Sequence, residues 1–134
     1  MEALFGGSQP SEPVPEVRQS DILKEGFLEK QSRYLKSWRK RYVILMKSHM
    51  LTFRDNSGDY SAPTEIIPIN ECCTVKSADD ELNMKNTFKI LVKDNTFYFC
   101  AMDNSDKESW IGGLGKAMIK TSVMIDDNME GVYM

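Results

Sequence analysis

The chain has 134 residues, 41% hydrophobic and 28% charged, a composition that fits one globular domain and not a disordered chain. Its formal net charge is −3, and no apolar run approaches the roughly 20 residues needed to span a bilayer, so any membrane association would be peripheral. Three cysteines, an odd number, argue against a disulfide framework and point to a reducing, cytosolic compartment.

Residues 1–20, MEALFGGSQPSEPVPEVRQS, hold three prolines, a Gly-Gly pair and several polar residues, and read as a disordered tail. MEALFGG has no basic n-region, so no secretory signal is expected, and Glu2 leaves no site for N-myristoylation. A strand-like pattern follows. KEGFLEK (Lys24–Lys30) suits a first strand, and QSRYLKS a polar connection tipped by Tyr34 and Leu35. WRKRYVILM (Trp38–Met46) is aromatic and β-branched, hence a second strand; KSH is a tight turn and MLTFRD a third strand. NSGDYSAPT is a loop, EIIPIN (Glu65–Asn70) a short strand with Pro68 suggesting an edge or a bulge, and CCTVKS (Cys72–Ser77) a fifth strand. ADDELNMKN reads as a charged loop. TFKILV and TFYFCA form strands six and seven around KDN, with Asp94-Asn95 at the turn.

The period then changes. DNSDKESWIGGLGKAMIK (Asp103–Lys120) offers Asn104 or Ser105 as N-cap, and Trp110, Leu114 and Met118 fall four apart on one helical face. Its glycines weaken the helix unless they allow close approach to the sheet. TSVMIDDNMEGVYM reads as a second loose tail. The organisation expected is a tail over 1–20, a domain over 21–120 and a flexible tail over 121–134.

Charge is unevenly spread. Between Lys24 and Arg54 stand nine Lys and Arg against two acids, a local +7, so the remainder carries −10. Within KSWRKRY, alternation along a strand points Arg39 and Arg41 one way and Lys40 and Tyr42 the other. If QSRYLKS is a hairpin loop, Lys30 lies beside the start of the second strand, with Arg33 and Lys36 on the loop above. Such a cup of cations suits a guest with several phosphates close together. Arg grips phosphate oxygens in pairs, and Lys adds a mobile point charge.

Other features read as structural. His49 is the only histidine and has no metal-ligand partner at suitable spacing. Cys72 and Cys73 face opposite sides of a strand, one buried and one half-exposed, and Trp110 belongs to the core. GGLGK (Gly112–Lys116) lies inside the helix and lacks the spacing of a phosphate loop. No catalytic set can be assembled, so the chain is expected to be neither an enzyme nor a metal or cofactor protein.

The order and spacing of KEGFLEK, LKSWRKRYVIL and DKESWIGGLGKAM resemble those of a pleckstrin homology (PH) domain over Asp21–Lys120. The resemblance implies a mainly-β fold, a seven-stranded antiparallel bent sandwich or partly open barrel capped by a C-terminal α-helix. The spacing of Lys30 from Arg39 and Arg41 is similar to the basic motif of members that recognise 3-phosphorylated inositol lipids. That resemblance implies that Lys30, Arg39 and Arg41 contact the 3- and 4-phosphates, with Lys36 and Ser37 near the phosphate facing the loop, and that Tyr34 and Leu35 dip into the headgroup layer. The full motif continues to a tyrosine in the third strand; that position is Thr52 or Phe53 here, depending on the KSH turn. The function so implied is membrane targeting through phosphatidylinositol 3,4,5-trisphosphate or 3,4-bisphosphate. A protein-interaction adaptor, or looser binding of monophosphoinositides or phosphatidic acid, are the alternatives. The expected partners are an anionic membrane and a protein, with no nucleic acid, and the expected state is a monomer.

Overall fold

The computed structural model describes residues 13–130, with side chains through residue 119. Strands β1 (Ile22–Gln31), β2 (Trp38–Met46), β3 (His49–Phe53), β4 (Glu65–Pro68), β5 (Cys72–Ser77), β6 (Thr87–Val92) and β7 (Asn95–Cys100) form one antiparallel sheet. A short helix, α1 (Asp79–Leu82), precedes β6, and a long helix, α2 (Asn104–Glu130), follows β7. The strand order is β4-β3-β2-β1-β7-β6-β5. The first strand is therefore central, paired with β2 from Ile22 to Gln31 and with β7 only through Glu29–Cys100 and Lys30–Phe99. This is the seven-stranded sheet with a C-terminal helix that the sequence predicts.

The unbroken apolar run of β2 reflects a strand covered on both faces. Val43 and Leu45 join Leu28, Met50, Ile90, Phe99, Trp110 and Leu114 in the main core, while Tyr42, Ile44 and Met46 join Leu51 and Phe53 on the opposite face. That second face is roofed by Val17, Ile22, Tyr60 and Ile66. Residues 1–12 lie outside the described residues, but Val17 packs on the sheet and Gln19–Asp21 form a 3-10 turn into β1.

The helix differs from expectation at both ends. Its N-cap is Asp103, whose Oδ1 accepts the Asp106 N–H at 2.8 Å, not Asn104 or Ser105. It continues to Glu130, so residues 121–130, expected in a flexible tail, are helical; no Gly or Pro stands between residues 116 and 130. Residues 131–134 lie outside the described residues. Gly113 serves close approach, because a Cβ there would stand 3.3 Å from Leu45 Cδ2. The expected fourth strand ends at Pro68, and Ile69–Glu71 form a 3-10 turn.

The charged stretch after β5 contains α1, ordered by one carboxylate. Asp79 Oδ1 accepts from Thr87 N–H (2.9 Å), Thr87 Oγ1 (3.2 Å) and Lys107 Nζ (3.0 Å). Lys107 is buried at 3% exposure and also donates to Ser77 Oγ at 2.8 Å, tying α2 to the sheet. The Thr87 backbone bond first, then Lys107, hold the Asp79 carboxyl below its ordinary value of 3.8. A carboxyl depressed on folding stabilises above its unfolded pKa and loses that contribution as pH falls through its folded value. Asp79→Asn is therefore expected to melt several degrees below the parent at neutral pH, with the gap narrowing as pH falls below the ordinary carboxylate value. A gap independent of pH in thermal melts would contradict this.

Candidate functional site

The β1–β2 register sets Lys30 opposite Arg39 and Leu28 opposite Arg41. Opposed residues in an antiparallel pair share a face, as do residues two apart in one strand. Lys30, Arg39 and Arg41 thus stand on the same face as core residues Leu28 and Val43, at the end of the sheet crossed by loop 32–37. Lys40 is on the other face, its Nζ 4.5 Å from the Phe27 ring centroid. There Tyr42 Oη donates to Glu25 Oε1 at 2.6 Å, and burial and then that bond push the phenol up to about 12.

Lys30, Arg39 and Arg41 line one open cavity of about 250 Å³ together with Ser32, Tyr34 and Leu35. The loop above it is closed on itself. Ser32 N–H donates to Ser37 O (2.7 Å), Lys36 N–H to Ser32 O (3.2 Å) and Ser37 N–H to Ser32 Oγ (3.2 Å). Lys36 takes a left-handed φ of +58° to allow this. Tyr34 and Leu35 project from the loop at 89% and 72% exposure.

Burial, and then the charges of Arg39 and Arg54, lower the Arg41 pKa from its ordinary value. No carboxylate lies within ion-pair range of Arg39 or Arg41 among the described residues. Arg54 is a neighbour that sequence reasoning left out of the site. The β2–β3 register pairs Tyr42 with Phe53, so the next position, Arg54, returns to the Arg41 face. A fixed hairpin register for KSH is the signal that finds it. The same register resolves the third-strand position. Thr52 opposes Val43 on the cavity face, whereas Phe53 packs in the outer cluster. Thr52 is buried, and its hydroxyl shares a 2.6 Å hydrogen bond with that of Thr64.

Four other cations or loop residues lie elsewhere. Arg33 turns aside, its Nη1 donating to Asn95 Oδ1 at 3.2 Å with its guanidinium 5.7 Å from the Phe97 centroid. Lys36 and Ser37 belong to the loop and not to the cavity lining. Lys93 Nζ lies 3.5 Å from Glu71 Oε2, and the hairpin turn falls at Lys93–Asp94, not Asp94-Asn95, because Val92 pairs with Asn95. Lys30 itself has company: its Nζ is 3.4 Å from Glu65 Oε1 and 5.4 Å from the Phe97 centroid.

The family model described as PH domain matches residues 22–118. The chain belongs to the PH domain family. Such a domain is a binding module and not a catalyst. This PH domain is 32% identical over 108 residues to pleckstrin homology domain-containing protein 1 of Arabidopsis thaliana, covering 78% of this chain and 74% of that protein. It is 28% identical over 109 residues to the mouse dual adapter for phosphotyrosine and 3-phosphotyrosine and 3-phosphoinositide, covering 81% of this chain and 38% of that protein. Among solved structures it is similar to the C-terminal PH domain of pleckstrin in complex with D-myo-Ins(1,2,3,5,6)P5. That match has a TM-score of 0.62 and 25% identity, covering 72% of this chain and 95% of the other.

Proposed function

We propose that this PH domain docks on anionic membranes by gripping a phosphoinositide headgroup, with phosphatidylinositol 3,4,5-trisphosphate or 3,4-bisphosphate as its ligand. The observation that carries the reading is the convergence of Lys30, Arg39 and Arg41 on one open cavity, with neither arginine paired to a carboxylate among the described residues. The pleckstrin structure holds an inositol pentakisphosphate, and the mouse adapter is named for a 3-phosphoinositide. Both support an inositol phosphate as the guest.

The mechanism follows from the geometry. The basic stretch from Lys24 to Arg54 attracts the protein to an anionic leaflet, each nearby Lys or Arg contributing on the order of 1 kcal/mol. Arg39 and Arg41 then take phosphate oxygens through paired N–H donors, and Lys30 adds a point charge. Tyr34 and Leu35, exposed on the cavity rim, enter the headgroup layer. No helix among the described residues is long and apolar enough to cross a membrane, which fits peripheral recruitment from the cytoplasm. Thr52 supplies no phenolic donor to the site. That favours, as a second reading, ranking of ligands by phosphate number over strict 3-phosphate selectivity, extending to monophosphates.

The test is a panel of phosphoinositide vesicles at physiological salt. The expected result is binding that weakens with added salt and is competed by soluble inositol phosphates. Absence of binding to every anionic vesicle would refute the reading and favour a protein-interaction module. A Tyr34→Ser, Leu35→Ser double variant is expected to lose roughly fivefold on vesicles yet keep its affinity for a soluble inositol phosphate. Equal loss on both would remove these residues from the membrane-contact role.

A further inference from the structure

One acid, Glu65, reaches a cation of the cavity from outside its lining. Glu65 opens β4, directly opposite Thr52 in the β3–β4 register, so its side chain shares the cavity face. It stands where β3 offers only a short buried threonine, and it reaches across the bent sheet to Lys30. Their Nζ–Oε1 distance is 3.4 Å, at 12% side-chain exposure for Lys30 and 23% for Glu65. Lys30 also faces Arg39 across the β1–β2 pair. Its ammonium is thus shared between a carboxylate on one side and the open cavity on the other.

We propose that Glu65 is a specificity-determining residue that competes with an incoming phosphate for Lys30, so that only headgroups with several phosphates displace it. This rests on the phosphoinositide reading above. The carboxylate and the ligand are like charges that meet at Lys30, and the ligand must either share that ammonium or break the ion pair. A single phosphate gains little over Glu65. A second and third phosphate, held by Arg39 and Arg41, supply the difference. Glu65 therefore works by charge count, a device that the loss of a tyrosine at Thr52 leaves room for.

The test is calorimetry with soluble inositol 1,3,4,5-tetrakisphosphate and inositol 4-phosphate at physiological salt. It uses the full chain, Glu65→Gln, Glu65→Ala, and Glu108→Gln as an equal change in net charge at an exposed helix position. Melting temperatures confirm folding of each. Glu65→Gln and Glu65→Ala are each expected to tighten both ligands by about threefold or more, with the larger gain on the monophosphate, while Glu108→Gln changes neither. Unchanged or weaker binding in folded Glu65 variants, with Arg41→Ala still losing affinity, overturns the role of Glu65 and leaves the site standing. An equal gain from Glu108→Gln also overturns it, because net charge alone would then explain the effect. If the parent and every variant bind neither ligand nor any phosphoinositide vesicle, the underlying reading fails and this proposal with it.

Discussion

Replacing Arg41 with Ala is expected to weaken binding to vesicles carrying phosphatidylinositol 3,4,5-trisphosphate by at least about tenfold while leaving the melting temperature unchanged or slightly raised. The two halves of that outcome have one cause. In the free domain the guanidinium is partly buried and repelled by Arg39 and Arg54, with no carboxylate among the described residues in ion-pair range to compensate. Removing it relieves that repulsion and gives up one exposed hydrogen bond, from Nη1 to the Lys40 carbonyl at 2.9 Å. In the bound domain it would grip phosphate through charge-assisted hydrogen bonds worth roughly 1.5–3 kcal/mol, and each 1.4 kcal/mol is a factor of ten. Arg41→Lys is expected to recover only part, since it restores the charge without the planar fork. Vesicle flotation beside circular dichroism melts measures both halves. Undiminished binding by a folded Arg41→Ala refutes the site.

Trp110→Ala is expected to cost about 3–5 kcal/mol of stability, the largest effect of any single truncation considered for this fold. Trp110 is 1% exposed and joins the core with Leu28, Val43, Phe99 and Leu114 as the largest fully buried side chain. Lys24 Nζ lies 5.0 Å above it and pairs with Asp106 at 3.3 Å, so β1 closes over its edge. With no smaller side chain able to fill that volume, the melting temperature should fall by about 15 °C or more for a domain of this size. Trp110→Phe is expected to recover more than half of the loss, because it refills most of the apolar volume. A drop of only a few degrees in Trp110→Ala would show that the helix is not what closes the core.

The strands legible in the sequence were those with a bounded apolar run: the observed limits of β2, β5 and β6 coincide with WRKRYVILM, CCTVKS and TFKILV. The period-two placing of Arg39 and Arg41 followed from alternation, and the partnership with Lys30 from reading QSRYLKS as the hairpin loop between the two strands. What stayed hidden depended on contacts between distant parts of the chain. The aim of Arg33 is fixed by Asn95, 62 residues away, and local sequence carries no trace of that bond. The Asp94-Asn95 turn suited turn chemistry, yet cross-strand pairing moved the bend to Lys93, which takes a φ of +49° usually left to Asn or Gly. α1 looked like a loop because its order comes from Asp79 binding Thr87 and Lys107, not from intrinsic helix propensity. Glu65 could not be assigned because β4 stands three places from β1 in the sheet, and only its curvature lets the two side chains meet.

The hydrogen bonds that knot Ser32 to Lys36 and Ser37 bear on how recognition would be driven. A segment already fixed in shape surrenders little conformational entropy when a guest arrives, whereas a slack one would forfeit roughly 1–2 kcal/mol per residue ordered. Capture by this domain would then proceed nearly as rigid-body docking, and its speed would be governed by diffusion to the charged surface and not by rearrangement of the rim.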